Sequence, residues 1–222
     1  MSTPIEINPK HATASIILLH GLGADGNDLL PIAEILAEDY IRFIVPDAPV
    51  RPISLYPGQS MPAWFDLAHT DLRLEQDQSG LDASRAVVNA LIEKEMHRNI
   101  SAERIVLAGF SQGGALALYS GLTLGWPLAG IVGLSTWLPT LTPFLPIPPL
   151  WLAHGSADNV VPLHTSLESY ALLAEAQSAL HVWPIAHQIT PVELKELKAW
   201  LLRQLPRHGC SGNYPDSVTL KT

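Results

Sequence analysis

Residues 105 to 113 read Ile105-Val-Leu-Ala-Gly109-Phe-Ser111-Gln-Gly113, an apolar run that ends in a glycine, a serine and a second glycine at intervals of two. The apolar run predicts a buried strand, and the G-x-S-x-G spacing is typical of a sharp strand-to-helix turn that exposes a serine hydroxyl. Such a turn holds its serine in an unfavourable backbone conformation, so small residues flank it. Because the pentapeptide also recurs by chance, the rest of the chain decides whether Ser111 is a nucleophile.

Length and composition are typical of one globular protein. The chain has 222 residues, of which 47% are hydrophobic and 15% are charged. These values favour a well-buried core and exclude a disordered chain. Because α/β folds reach this size as single units, we expect one domain over residues 1–222. The polar, aperiodic residues from about 206 to 222 are expected to form a flexible tail.

Charge and cysteine content exclude several classes of function. The formal net charge is −8 and no Lys/Arg cluster interrupts it, so nucleic-acid binding is not predicted. The only cysteine, Cys210, excludes an intrachain disulfide and a cysteine-rich zinc site, and the pattern predicts neither metal nor cofactor. The first ten residues lack the pattern of a secretory signal, and no uncharged apolar run approaches a bilayer-spanning length. We therefore expect a cytoplasmic protein without stable membrane insertion.

Short apolar runs alternate with helical patterns along the chain. This alternation predicts an α/β fold in which a mostly parallel central sheet carries helices on both faces. The predicted strands are Ala14–Leu19, Ile41–Val45, Arg104–Ala108, Gly130–Leu134, Pro149–Ala153 and Leu180–Trp183. The predicted helices are Asn27–Glu38, Gly80–Met96, Gln112–Leu124, Leu163–Gln177 and Pro191–Leu205.

The segment from Pro46 to Gln78 interrupts this alternation and contains five prolines. Long irregular loops inside compact domains are usually functional, and the aromatic content of this one predicts a packed flap beside a site. Its apolar side chains offer a surface suited to an acyl chain, and ordinary packing of the loop onto the body is the alternative for each of them. They are Met61, Trp64, Phe65, Leu72 and Leu74.

A serine nucleophile needs a base, and the base needs a third group to orient it. In sheets that carry this turn, the partners follow the serine in the order acid and then histidine, each after a later strand. Asp158 and His187 follow the last two predicted strands in that order. For Asp158 the alternative is a turn or N-cap role ahead of the helix at Leu163.

Three other histidines are set aside as the base. His164 opens a helical pattern, His181 lies inside a strand pattern and His208 lies in the tail. An exposed or hydrogen-bonded structural side chain is the ordinary role of any single histidine. The strand order therefore selects His187.

Backbone donors for an oxyanion are predicted at two places. One is the N–H of Gln112, which follows the serine and opens a helix whose dipole favours negative charge. The other is the glycine-rich loop His20-Gly-Leu-Gly-Ala-Asp-Gly26 after the first strand, in which Leu22 is the expected donor. A tight turn or a phosphate-binding loop is the alternative, but the loop lacks the spacing and the lysine of phosphate motifs.

Five motifs in this order resemble one family. They are His20-Gly-Leu-Gly-Ala-Asp-Gly26, Met61-Pro-Ala-Trp-Phe-Asp66, Gly109-Phe-Ser-Gln-Gly-Gly114, Leu134-Ser-Thr-Trp-Leu-Pro139 and His154-Gly-Ser-Ala-Asp-Asn-Val-Val-Pro162. Over roughly residues 13 to 205 the chain is similar to the acyl-protein thioesterase, lysophospholipase and carboxylesterase family within the α/β-hydrolases. The resemblance implies a serine hydrolase of carboxylic esters or acyl thioesters that uses no cofactor.

The resemblance also implies roles for individual residues. It assigns the nucleophile, acid and base to Ser111, Asp158 and His187, and the oxyanion donors to Leu22 and Gln112. It suggests that Trp64 and Leu138 help to wall the acyl site, and that the protein forms a homodimer through the rim of that site. The substrate it implies is a small-molecule ester or an acylated molecule.

The chain departs from the family pattern at two places. Ala186 stands before the histidine where the family usually has glycine, and Thr136-Trp137 replaces a glycine and a smaller or tyrosyl residue. These changes affect the expected acyl-length preference more than the expected activity. The alternatives to an esterase or thioesterase are a lysophospholipase of the same family, a peptidase on the same fold and a non-catalytic binding protein on a hydrolase scaffold.

Overall fold

The structure is a computed structural model that describes residues 3–7, 11–72, 74–173 and 178–207. Nine strands and five α-helices lie in this part of the chain. The strands are β1 (Ile5–Ile7), β2 (Ala14–Leu19), β3 (Ile41–Val45), β4 (Val50–Pro52), β5 (Ser60–Pro62), β6 (Ile105–Phe110), β7 (Gly130–Leu134), β8 (Leu150–Gly155) and β9 (Ser178–Trp183). The helices are α1 (Leu30–Leu36), α2 (Gln78–His97), α3 (Gln112–Thr123), α4 (Leu163–Tyr170) and α5 (Pro191–Gln204).

Seven strands form one sheet in the order β1-β3-β2-β6-β7-β8-β9. All neighbouring strands are parallel except β1, which pairs antiparallel with β3 at one edge. Because parallel strands end at the same edge, the loops after β2, β6, β8 and β9 all leave the sheet at its carboxyl edge. The fold is therefore the predicted α/β-hydrolase architecture, with a mostly parallel central sheet.

Two hydrophobic cores lie on opposite faces of the sheet. Within β2, Ile17 and Leu19 pack into one core, while Ile16 and Leu18 pack into the other. This is the period of two that a strand covered on both faces must show. Apolar residues of α2 and α3 complete the first core, and those of α1 and α5 complete the second. We call the side of the sheet with the first core the α3 face and the side with the second core the α5 face.

Two predicted helices are shorter than expected. The segment predicted as the helix Asn27–Glu38 begins as a 3-10 turn over Gly26–Leu29 and becomes α-helical only from Leu30, with Pro31 in the first turn. The helix predicted to run from Leu163 to Gln177 is α-helical to Tyr170 and continues as a 3-10 turn to Leu173. The remainder of that prediction, residues 174–177, lies outside the described residues.

The flap segment is more regular than its sequence predicts. It contains the antiparallel pair β4–β5, and Ala63, Trp64 and Phe65 that follow are buried. Edge pairs of three residues with prolines at their ends give little periodic signal, which is why the pattern did not predict them. The strand β1 was also not predicted. Within the described residues, no helix is both long enough and apolar enough to cross a membrane.

Candidate active site

Ser111 lies between β6 and α3 with a φ of 53° and a ψ of −121°. This is left-handed backbone that a residue with a Cβ rarely adopts. The Ser111 N–H donates to the carbonyl of Leu134 at 2.9 Å, which holds the turn against the neighbouring strand. A Cβ on Gly109 would lie 2.2 Å from the Gly113 carbonyl oxygen, and one on Gly113 would lie 2.3 Å from that of Leu19. Both glycines of the motif are therefore required by close backbone packing.

Thr136 supports the same turn from the loop after β7. Its hydroxyl donates to the Ser111 carbonyl at 2.7 Å. Its own carbonyl accepts from the hydroxyls of Ser166 at 2.6 Å and Tyr170 at 2.8 Å, both on α4. All these groups are buried. The sequence marked Thr136 only as a departure from the family pattern, and nothing local in the pattern indicated this contact.

Asp158 and His187 are directly hydrogen-bonded. The Nδ1 of His187 lies 2.7 Å from Oδ2 of Asp158, whose side chain is fully buried. The other carboxylate oxygen accepts from the N–H groups of Val160 and Val161, each at 2.8 Å. Three donors thus surround a carboxylate without solvent access and hold it in one orientation. The structure brings the two side chains together as the strand order predicted.

Backbone contacts between two loops bring this pair together. Ser156 donates to the carbonyl of Trp183 at 2.8 Å, and Ala157 donates to that of Ile185 at 3.0 Å. A Cβ on Gly155 would lie 2.2 Å from the Ile185 carbonyl oxygen, so only glycine allows the loops to approach this closely. Ala186 does not have a positive φ. The backbone at this position therefore does not require the glycine that the family usually has there.

His154 lies behind the acid and is fully buried. Its Nε2 donates to the Val161 carbonyl at 2.7 Å and lies 3.6 Å from Oδ2 of Asp158. Burial lowers the pKa of His154, so the ring is neutral at neutral pH. Its Nδ1 is then unprotonated and has no hydrogen-bond partner among the described residues. The neutral ring holds the turn that carries Asp158, and it places no second positive charge beside the carboxylate that His187 contacts.

The loop after β2 lies beside the nucleophile. A Cβ on Gly21 would lie 3.4 Å from Cβ of Ser111, and Leu22 lines the same cavity as the serine. The next N–H, on Gly23, donates to the Pro62 carbonyl at 2.8 Å, whereas that of Leu22 donates to no backbone carbonyl in the described part of the chain. The position agrees with the role predicted for Leu22.

His20 holds this loop as a neutral ring. Its Nδ1 lies 2.7 Å from the Gly21 carbonyl, and its Nε2 accepts the Ala48 N–H at 3.0 Å. One nitrogen must therefore donate and the other accept, which fixes the tautomer. Burial lowers the pKa of His20 and favours that neutral form. No local pattern in the sequence indicated this contact, because Ala48 is 28 residues away.

Trp64 is fully buried. Its side chain is not among the residues that line the cavity, and the role as a wall of the acyl site stays a prediction. The indole Nε1 donates to the His20 carbonyl at 2.8 Å. Its backbone N–H donates to Oε1 of Gln112 at 2.9 Å, and Nε2 of Gln112 donates to the Phe65 carbonyl at 2.7 Å. Trp64 therefore clamps the loop after β2 to the start of α3.

One cavity of about 1060 Å³ contains Ser111, Gln112, His187 and Leu22 in its lining. Leu72, predicted as a substrate contact, lines it. Leu138 does not: it is buried beside α4, and its N–H donates to Ser169 Oγ at 2.9 Å, so its wall role stays a prediction. Its neighbour Trp137 lines the cavity instead.

Two of the three histidines that the sequence set aside lie in the described part of the chain. His164 lines the cavity from α4, and His181 lies in β9 with Nδ1 3.3 Å from Glu196 Oε2. His208 lies outside the described residues. No group of three or more His, Cys, Asp or Glu in the described ranges is arranged to hold a metal ion.

Comparisons with known proteins identify the family of the chain. The family model described as Phospholipase/Carboxylesterase matches residues 2–204. The acyl-protein thioesterase 1 proteins of Cryptococcus neoformans and Mycosarcoma maydis are each 36% identical over 232 and 230 residues, covering 90% of this chain and 97% and 96% of theirs. Zea mays acyl-protein thioesterase 2 is similar in structure, with a TM-score of 0.80 and 32% identity over 91% of this chain and 98% of that chain. The chain therefore belongs to the phospholipase/carboxylesterase family of α/β-hydrolases.

Proposed function

We propose that Ser111, His187 and Asp158 form the catalytic triad of a hydrolase that cleaves carboxylic esters and acyl thioesters through an acyl-enzyme. The observation that carries the proposal is the 2.7 Å contact between His187 and Asp158 in a cavity that Ser111 also lines. This contact places the imidazole proton on Nδ1 and leaves Nε2 free to act as a base. The serine hydroxyl is the nucleophile that such a base activates.

The reaction proceeds in two steps. In the first, Ser111 Oγ attacks the carbonyl carbon, His187 accepts the hydroxyl proton and then donates it to the leaving oxygen or sulfur as that bond breaks. In the second, water attacks the acyl-serine with His187 again as the base, and the carboxylic acid leaves. Asp158 orients the imidazole and stabilises the imidazolium.

The oxyanion is bound by the backbone N–H groups of Leu22 and Gln112. Support for Leu22 comes from its place on the cavity beside Ser111 and from its N–H, which has no backbone acceptor in the described part of the chain. Gln112 is the first residue of α3, whose initial N–H groups lack intrahelical acceptors. Loss of one such donor typically lowers kcat by about 10² to 10³.

The cavity supports an acylated substrate. Its lining includes the apolar side chains of Leu67, Leu72, Trp137 and Val161 on the α3 face. An alkyl chain buried there gains about 0.8 kcal/mol per methylene. The relatives named as acyl-protein thioesterases favour a thioester or ester of a fatty acid as the substrate class.

Replacement of Ser111 tests the proposal. We expect Ser111→Ala to abolish turnover of both an aryl ester and an acyl thioester while the protein stays folded, because the proposed mechanism carries the acyl group on the Ser111 hydroxyl. Ser101→Ala is the matched control, since Ser101 is exposed and remote from the cavity. Turnover that persists in Ser111→Ala refutes the proposal.

A further inference from the structure

The cavity has two apolar parts that lie on opposite faces of the sheet. Leu67, Leu72, Trp137 and Val161 belong to or pack against the core of the α3 face. A second group of lining residues belongs to or packs against the core of the α5 face, and this group is Leu29, Ile32, Phe110 and Ile189. Ser111 follows β6, the central strand of the sheet. The cavity therefore extends to both sides of the serine.

His187 belongs to the second part. Its ring lies against Phe110 with a centroid distance of 4.7 Å. Ile189 follows it by two residues and lines the same part of the cavity. Ile32 reaches this part from α1, which packs against α5. The base thus lies beside the apolar group on the α5 face.

The position of the base distinguishes the two halves of an ester. When the bond to the leaving group breaks, the proton taken from Ser111 passes from His187 Nε2 to the leaving oxygen or sulfur and yields an alcohol or thiol. The leaving atom must therefore lie within hydrogen-bond reach of His187. The acyl chain, attached on the other side of the carbonyl carbon, extends away from the base.

We propose that Ile32, Phe110 and Ile189 form a leaving-group site, which binds an apolar alcohol or thiol part of the substrate, while the acyl chain occupies the part lined by Leu72 and Trp137. This inference rests on the proposed triad and adds a second specificity site to it. The three side chains are half-buried around the cavity, so they offer apolar surface that a ligand can cover.

Esters that differ only in the leaving group test this site. We compare kcat/KM for phenyl butyrate with that for biphenyl-4-yl butyrate, two esters with the same acyl chain and leaving groups of similar acidity. The ratio of kcat/KM for phenyl octanoate to that for phenyl butyrate reports separately on the binding of the acyl chain. Shortening a side chain by several carbons in an apolar site changes such ratios by about tenfold.

The variants are Ile32→Ala and Ile189→Ala, with Ile35→Ala as the matched control. Ile35 lies on the same helix as Ile32 but is 51% exposed and does not line the cavity. We expect the biphenylyl-to-phenyl ratio to fall about fourfold to tenfold in the first two variants, while the octanoate-to-butyrate ratio and the control stay as in the wild type. Leu72→Ala should show the reverse pattern and change only the acyl ratio.

Two results would overturn the leaving-group site. One is an unchanged biphenylyl-to-phenyl ratio in both Ile32→Ala and Ile189→Ala. The other is a change in the octanoate-to-butyrate ratio, instead of the biphenylyl-to-phenyl ratio, in these variants. Thermal melts check that each variant folds, and Ile32→Val and Ile189→Val serve if an alanine variant does not. If Ser111→Ala loses turnover but the isoleucine variants leave the biphenylyl-to-phenyl ratio unchanged, the leaving-group site alone is contradicted. If Ser111→Ala keeps turnover, the proposed triad is contradicted.

Discussion

The side-chain amide of Gln112 joins the first turn of α3 to the backbone at Trp64. Its Oε1 accepts the Trp64 N–H at 2.9 Å, and its Nε2 donates to the next carbonyl at 2.7 Å. All these groups are buried. The same residue thus anchors the flap by its side chain and, in the proposed mechanism, offers its backbone N–H to the oxyanion.

Gln112→Ala separates these two roles because alanine keeps the backbone N–H. The variant leaves a buried N–H and a buried carbonyl without partners, and each such group costs about 1 to 3 kcal/mol. We expect a free energy of unfolding lower by at least about 2 kcal/mol in urea denaturation, with turnover still measurable above that of Ser111→Ala. Gln59→Ala, at an exposed position in the β4–β5 turn, should change neither. Equal stability of the two variants would contradict the anchoring role.

Thr136→Val tests the support of the nucleophile turn. Valine keeps the shape of threonine but removes the hydroxyl that donates to the Ser111 carbonyl at 2.7 Å. A hydrogen bond of this kind contributes about 0.5 to 1.5 kcal/mol, so we expect kcat to fall about threefold to tenfold in steady-state assays. Thr136→Ser restores the donor and should recover most of the rate. A serine variant as slow as the valine variant would show that the hydroxyl is not the cause.

Trp137 lines both the main cavity and a second, smaller one, as do Leu67 and Leu72. Its ring contacts Phe65 edge-on at 6.2 Å between centroids. Trp137→Ala removes the largest side chain shared by the two cavities, so we expect the ratio of kcat/KM for octanoate over butyrate esters to rise about tenfold. Leu138→Ala is the neighbouring control because Leu138 lines neither cavity. A ratio that changes in Leu138→Ala and not in Trp137→Ala would contradict this role of Trp137 and support the role that the resemblance suggested for Leu138.

Glu193 should make stability depend on pH. Burial raises its pKa from an ordinary 4.5 to about 7. Between these values the folded protein binds more protons at this group than the unfolded chain, so stability falls as pH rises from about 4.5 to 7. Glu193→Gln keeps an acceptor for the Thr190 N–H, which Glu193 binds at 3.2 Å, and does not titrate. Urea denaturation from pH 5 to 8 should show the variant gaining stability relative to the wild type as pH rises; a constant difference would contradict the raised pKa.

The sheet could be predicted because its strands are apolar on both faces. Ala14–Leu19, Ile41–Val45 and Gly130–Leu134 are found with the predicted bounds, and the other three predicted strands differ by one or two residues at their ends. Chain order then places Asp158 and His187 at the carboxyl edge of the sheet. Topology alone therefore brings the candidate acid and base to the same edge as Ser111.

What could not be predicted are contacts between residues distant in sequence. The resemblance suggested Trp64 as part of the cavity wall, and an aromatic side chain in a loop gives the same local pattern whether it faces a ligand or the core. The bonds of Trp64 to His20 and Gln112 span 44 and 48 residues. The contact of Thr136 with Ser111 spans 25. No periodicity in the sequence encodes such pairs.

Covalent labelling with a fluorophosphonate probe tests the central claim most directly. Intact-mass measurement and peptide mapping should find one adduct per chain, on Ser111. The adduct should be absent in Ser111→Ala and strongly slowed in His187→Ala, while Ser101→Ala labels like the wild type. No labelling of the folded protein, or labelling at another residue with Ser111 unmodified, would contradict the triad.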